Sequence, residues 1–467
     1  TGSSSAHEIG IIKTTEALNY GIGLFAGGYS YMQPGTKFNN NSTPSYGASY
    51  TTGDTIGVAF DADNGTLIFY KNGASQGTAF TGLSGTFYPA VSTYSSAANF
   101  GWKVNFGQRA FSHAAPSGYK ALTVENLSDP TGPAAEPNKY FDTKLWTGTG
   151  SARSITMDNS SMSPDFVWIK ARTDANDHHH LFDTIRGAGK RVLSNGNGAE
   201  STDNNTLSAF DSNGFSLGTQ SAVNGNGDEV VSWNWESAAS TVTNTAGSID
   251  SQVRADQAAG FSIVTYTAVG GNNSFGHGLN VKPKFILIKN RSNTADWFAM
   301  FDTGAASYQH GYLNSNSGFS AASAQPVSTS TITYGNDNAM FGANGNNYLA
   351  YCFAPVANYS AMDTYTGNGS SDGIFVHTGF KPAFLLTKRT NASENWEIRD
   401  NKRNPFNRVN RALFPHTSGA EDTGSVDVDF LSNGFKIRTA NGSINASGGI
   451  YMYYAVAEGP FKTARAR

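Results

Sequence analysis

A seven-residue pattern that occurs three times constrains this chain most: Pro164-Asp165-Phe166-Val167-Trp168-Ile169-Lys170, Pro283-Lys284-Phe285-Ile286-Leu287-Ile288-Lys289 and Pro382-Ala383-Phe384-Leu385-Leu386-Thr387-Lys388. In each copy a proline opens the run, an aromatic follows two residues later and a lysine six residues later. Apolar residues fill both alternating sets between them, so the run reads as a strand buried on both faces. Phe166 and Trp168 are expected to face one layer and Val167 and Ile169 the other, with the lysine marking where the chain leaves the core.

The flanks repeat as well. An aromatic-Thr-x-x-Gly turn precedes each proline by 17 or 18 residues, beginning at Trp146, Tyr266 and Tyr365. An aspartate follows each proline by 18 or 19 residues, at Asp183, Asp302 and Asp400. A turn then feeds Phe215, Phe319 and Phe435, and each copy ends on an aromatic strand around Trp233-Asn234-Trp235, Tyr351-Cys352-Phe353 and Tyr454-Ala455-Val456. No long amphipathic helical pattern lies between these landmarks, which predicts one β-sandwich per copy.

Within 467 residues, the 38% hydrophobic and 12% aromatic content can supply several cores, while only 14% is charged and 52 residues are glycine. A net charge of −3 excludes the electrostatic footprint of a nucleic-acid binder. No apolar run approaches the ~18 residues a membrane helix needs. Cys352 has no partner within the chain and reads as a small buried hydrophobe. The basic tail Phe461 to Arg467 reads as a solvated terminus, and the Ser-rich start at Thr1 without Met suggests a trimmed or processed C-terminal portion.

Residues 1–108 follow another pattern, centred on two strands around Asn64-Gly65, the residues a type I′ hairpin favours. The stretch Gly53 to Gly73 resembles the hallmark hairpin of the SPRY (B30.2) domain, and Phe87-Tyr88-Pro89-Ala90-Val91 with Val104-Asn105-Phe106-Gly107 resembles its closing strands. The resemblance implies a bent β-sandwich that binds partners through loops at one edge, with no catalytic residues. The family's opening aromatic strand has no counterpart after Thr1. From Phe106 onward the sequence resembles repeat-bearing modules of tailed-phage virion and tail-fibre proteins, through Gln108-Arg109-Ala110-Phe111, Pro116 to Leu122, the three Pro-x-Phe strands and the ending Tyr451 to Phe461. That resemblance implies a structural place in a virus particle.

The expected organisation is therefore all-β: an SPRY-like domain at 1–108, a proline-containing spacer at 109–138 with Pro116, Pro130, Pro133 and Pro137, then copies at 139–240, 241–357 and 358–467, the second led by the low-complexity stretch 236–260. The last two copies abut and are expected to behave as one body.

Candidate chemistry meets an objection at each place. His178-His179-His180 could hold a metal, but fourteen residues after each proline stand His178, Trp297 and Trp396, which makes the position structural. Ser75 and Ser216 lie in Gly-x-Ser-x-Gly spacing without the helix a nucleophile elbow requires. Asp61-x-Asp63-Asn64-Gly65 opens like a calcium loop but lacks the closing glutamate. Asp427 and Asp429 alternate like a glycosidase pair without counterparts in the other copies.

No catalytic residue, metal site or cofactor is assigned. Tyr29, Tyr31 and Trp102, in Gly- and Ser-rich segments, are the ligand-binding candidates, as rings able to stack on a sugar or peptide. The expected function is that of a virion structural or adhesion protein in a tail fibre or head appendage. It would contact other virion proteins or a host-surface glycan, with neither nucleic acid nor membrane insertion, as a homo-oligomer that analogy makes a trimer. A glycan depolymerase and an SPRY-type peptide-binding adaptor are the alternatives.

Overall fold

The computed structural model describes residues 7–14, 16, 20–93, 101–123, 126, 131–304, 308–320, 325–335, 338–424 and 426–459. The tail Phe461 to Arg467, the start at Thr1 and Pro130 lie outside them. The chain divides into two compact units, 1–128 and 129–467. The fold is nearly all β, as the alternation of the sequence requires.

The first unit has two sheets. One runs in the order Lys37–Phe38, Gly28–Met32, His7–Lys13, Phe87–Thr93; the other is the meander Ile56–Asp61, Thr66–Lys71, Ala74–Phe80. Their shared core holds Ile11, Tyr31, Tyr50, Leu67 and Phe69. The type I′ geometry expected at Asn64-Gly65 occurs one turn later. Asn72 and Gly73, at φ +50° and +84°, join Lys71 to its partner Ala74 across a two-residue loop. Asp61 instead pairs with Thr66 across four residues, of which only Gly65 is left-handed. There the Asp61 carboxylate accepts from the Asp63 and Asn64 backbone N–H groups and from Asn64 Nδ2, and this bonding stabilises a longer turn.

In the second unit the three copies share one topology. Each central strand, Phe166–Ala171, Phe285–Asn290 or Pro382–Arg389, lies between a closing strand, Glu229–Trp235, Asn347–Phe353 or Ile450–Ala457, and a second neighbour, His180–Asp183, Phe298–Phe301 or Trp396–Asp400. A smaller sheet covers the outer face of each. Phe166, Phe285 and Phe384 sit at one register, opposite Trp235, Phe353 and Val456, and all three are buried. As the alternation predicts, Val167 and Ile169 pack inside the first sandwich, while Phe166 and Trp168 face away from it.

What they face is the other two copies. One aromatic core joins Phe166, Trp233, Trp235, Phe285, Tyr351, Phe353, Phe384, Trp396 and Tyr454. Phe166 stacks on Tyr351 at 4.1 Å, Phe353 meets Tyr454 at 5.1 Å, and Phe384 meets Trp235 at 5.8 Å between ring centroids. All three copies, not only the last two, therefore form a single body.

Equivalent hydrogen bonds close the seams in a ring. The Glu200 N–H donates to the Arg291 carbonyl, Phe319 to Thr390, and Glu421 to Arg172, at 3.0, 2.6 and 2.8 Å. Each bond links copy two to one, three to two, or one to three, so the ring is quasi-threefold.

The register corrects several expectations. Phe166, Phe285 and Phe384 pair with Asp183, Phe301 and Asp400, so Asp302 is a chance match one residue beyond the equivalent position. Copy one carries one extra residue before its second strand, and the counterpart of Trp297 and Trp396 is His179 rather than His178. Phe319 belongs to a seam. The copy-two counterpart of Phe215 and Phe435 is Ile332, which pairs with Phe275 as they pair with Ile155 and Val376. The stretch 236–260 contains the strands Val242–Asn244 and Ser251–Asp256, which extend the sheet of copy two, because Ser251 and Val253 alternate inward.

The motif lysines do not leave the core: Lys170, Lys289 and Lys388 are all fully buried. Lys289 Nζ donates to the Asn197 carbonyl of copy one and Lys388 Nζ to the Asn316 carbonyl of copy two, at 2.8 and 3.1 Å. Burial pulls each ammonium down to about 8.

Candidate functional site

Among the surfaces of the first unit, the strand Phe87–Thr93 stands out because it pairs with His7–Lys13 on one side and with no described strand on the other. Phe87 packs against Phe60 and Tyr29, whereas its neighbour Tyr88 points out of the sheet and is 50% exposed. Pro89 removes a backbone donor from this strand, a device typical of sheet edges.

Beside Tyr88 lies a cleft of about 500 Å³ lined by Ile12, Tyr88, Pro89, Ala90, Phe106 and Leu122. Its far wall is irregular chain held by side chains. Asn105 Nδ2 donates to the Arg109 and Ala110 carbonyls, Asn105 Oδ1 accepts from Gly107 N–H, and Gln108 Oε1 accepts from Phe106 N–H. Gly107 sits at φ +117°, and a Cβ there would come within 2.8 Å of Ala121 and Thr123. Phe106 and Leu122 are thus presented on a braced loop, with Leu122 63% exposed. An exposed apolar cleft along a strand edge that no described strand covers suits an extended apolar segment of a partner.

The candidates from sequence lie elsewhere in the same unit. Tyr31 is fully buried, its hydroxyl donates to the Ala48 carbonyl, and its ring meets Tyr46, Tyr50 and Phe69. It is a core residue and has no face to offer a ligand. Tyr29 is half-buried against Phe80 and Phe87, and Trp102 is half-buried against Tyr50 and His7. Tyr88 and Phe106, exposed like Tyr20, Phe25 and Phe111 of the same unit, lie in the segments that carried the family resemblance. Tyr88 could have been found from its phase, opposite to that of the packed Phe87.

Residues weighed for chemistry are engaged structurally. His179 and His180 are buried; Trp168 Nε1 donates to His179 Nδ1 at 3.0 Å, and His179 stacks on Trp233. Burial holds His179 far below its ordinary value and His180 at about 3, so both rings are neutral. Ser216 Oγ donates to Asp211 and Ser75 Oγ accepts from Gly77 N–H. Asp427 pairs with Arg408 at 2.6 Å and Asp429 with Arg438 at 3.2 Å. No group of three metal-ligating side chains occurs among the described residues.

The strongest electrostatics lie at the seams. Asp183 pairs with Arg186 and Asp400 with Arg403, at 2.5 and 2.6 Å with all four side chains buried. Each carboxylate also accepts from the next copy: Tyr351 Oη donates to Asp183, and Trp233 Nε1 donates to Asp400. Glu200 and Glu421 complete the two networks with Arg291 and Arg172 across the same seams. Copy two, with Phe301 at this register, has an apolar side chain in place of the aspartate.

Comparison with known proteins follows this division. The SPRY domain matches residues 13–109, and the domain of unknown function DUF7483 matches residues 136–460. The ATP-dependent RNA helicase DDX1 of Xenopus laevis is 31% identical over 122 residues, 26% of this chain and 16% of the helicase. The dual specificity protein kinase splA of Dictyostelium discoideum is 36% identical over 90 residues, 18% of this chain and 4% of the kinase. The chain thus spans a small fraction of each relative. With the match to residues 136–460 covering its whole three-copy body, the chain belongs to the DUF7483 family and carries an SPRY domain ahead of that region.

Proposed function

We propose that this chain is a structural and adhesion protein of a virus particle, part of a tail fibre or head appendage, and that it acts by binding rather than by chemistry. The observation that carries the reading is the shared core: three sandwiches closed around one set of aromatic rings make a stiff body suited to bear load. Its charged groups support this, since the acids that could serve catalysis are neutralised by Arg408, Arg438, Arg186 and Arg403. In this reading the SPRY unit supplies the contact surface, and the cleft beside Tyr88 receives an apolar segment of another virion protein or of a host-surface partner. Whole chains associate further, as trimers by analogy with fibre proteins.

Gold-labelled antibody against residues 129–467 should decorate an appendage of purified particles of the virus that encodes the chain. Particles free of it would overturn the reading. Incubation with host polysaccharide should release no reducing ends, and turnover that disappears in Asp427→Asn would move a depolymerase to first place. The cleft also favours a second reading, a peptide-binding adaptor, in which Tyr88→Ser abolishes partner capture while the chain is absent from particles.

A further inference from the structure

The outer sheets of the three copies are internal controls for one another. In copies one and three the strand pairs Arg153–Thr156 with Gly214–Leu217 and Phe375–His377 with Gly434–Ile437 align at Phe215 and Phe435; in copy two Asn273–Gly276 pairs with Thr331–Tyr334 and aligns at Ile332. At the outward position before the buried partner, copies one and two carry Ser154 and Ser274, and copy three carries Phe375. Across from it stand Ser216, Thr333 and Lys436. Two copies thus show that this fold needs only small hydroxyl residues there.

Phe375 is nevertheless 43% exposed, and the end of its ring reaches over Gly434, where a Cβ would meet it at 2.9 Å. Leu431, opposite Gly434, is outward and exposed as well. Exposing a large ring where serine suffices is unfavourable for a solvated face, and an exposed ring held against the sheet can stack on a ligand.

Three charged pairs lie on this sheet and its rim. Lys436 meets Asp372 at 2.8 Å, Arg438 meets Asp429 at 3.2 Å and Arg408 meets Asp427 at 2.6 Å. The face is therefore rich in hydrogen-bonding groups yet neutral, which matches an uncharged polyhydroxylated ligand and gives a charged one no net attraction. At the edge of the sheet away from Phe375, Asn407 occupies Val428–Leu431: its Nδ2 donates to the Phe430 carbonyl and its Oδ1 accepts from Phe430 N–H.

We propose that the outer sheet of copy three binds a neutral hexopyranose chain, with a sugar face stacked on Phe375 and hydroxyl groups bonded to the flanking charged pairs. The proposal deepens the adhesion reading by naming a glycan surface. The two fail separately, since labelling of particles does not depend on this face.

The test is native electrophoresis of the full chain through gels containing dextran, galactomannan or alginate. At least one neutral polysaccharide should retard the parent chain, and Phe375→Ser should weaken that retardation about tenfold, the equivalent of ~1.4 kcal/mol of lost stacking. The melting temperature should stay unchanged, because copies one and two fold with serine at this position. Lys436→Thr should weaken retardation more mildly, and Tyr88→Ser should leave it intact. Full retardation of the serine variant, retardation by alginate alone, or none by either neutral polysaccharide would overturn the assignment. So would a fall in solution mass caused by Phe375→Ser without any effect of glycan, which would make this face a contact between chains.

Discussion

Asp400 and Arg403 show what a single residue holds in this molecule. Both are fully buried, and Asp400 accepts from Arg403 Nε, from the Lys402 and Arg403 backbone N–H groups, and from Trp233 Nε1 of another copy. Removing one partner strands a charge in the core, so Arg403→Ala should cost about 3–5 kcal/mol, read as a lower urea midpoint. Copy two, with Phe301 at the register of the aspartate, indicates that an apolar side chain is tolerated there, and Asp400→Phe with Arg403→Met should recover most of the loss. His180 sets a pH response. Its folded value of about 3 lies below the ordinary one of 6.5, so its contribution is complete above 6.5 and is lost as pH falls towards 3. Asp142, raised by burial to about 6, acts oppositely, which makes the comparison with His180→Phe the decisive one. That substitution installs the residue copy two uses, Phe298, and should flatten the acid limb of stability measured by urea unfolding.

At the scale of elements, the central strands carry both the packing and the seams. Lys170, Lys289 and Lys388, each held near 8 against an ordinary 10.5, favour the neutral form when folded. Stability should therefore rise between pH 8 and 10.5 as the unfolded chain alone stays protonated. The buried tyrosines, among them Tyr266 and Tyr351, oppose this above their ordinary value of 10. The urea midpoint should climb from pH 7.5 to a maximum near about 10, and a flat profile would contradict the burial of the lysines. The strands themselves were legible, since Phe166-Val167-Trp168-Ile169 alternates between two apolar layers just as the motif implies. The lysines were not, because a lysine at a strand end normally solvates its ammonium, whereas here Lys170 donates to the Ala171 and Asp174 carbonyls of its own copy, and Lys289 and Lys388 reach carbonyls of a neighbouring copy as well as their own. Asp302 and Phe319 match by spacing alone for a related reason: copy two has Phe301 in place of the aspartate and an outer hairpin of different sequence. Tyr31 resembles a loop aromatic in sequence because its Gly- and Ser-rich surroundings hide a core strand, while the exposure of Tyr88 is masked by the packed phenylalanine one residue before it.

The whole molecule is an SPRY unit and a body in which three copies share one interior. Sequence periodicity gave three sandwiches but not their closure, because the residues facing the shared core, such as Trp235, Phe353 and Tyr454, are equally consistent with an isolated domain's hydrophobic face. Closure makes the body one cooperative unit, so damage in one copy should be felt in all. Phe384 touches Phe141, Trp233 and Trp235 of copy one and Tyr454 of its own sheet. The direct measurement is hydrogen exchange on the intact chain carrying Phe384→Ala, a substitution that removes about 3–5 kcal/mol of packing. The slowest amides of Phe166–Ala171, Phe285–Asn290 and Pro382–Arg389 should all exchange faster by a common factor on the order of a hundredfold or more. Faster exchange confined to Pro382–Arg389, with the other two central strands as slow as in the parent, would contradict the shared core.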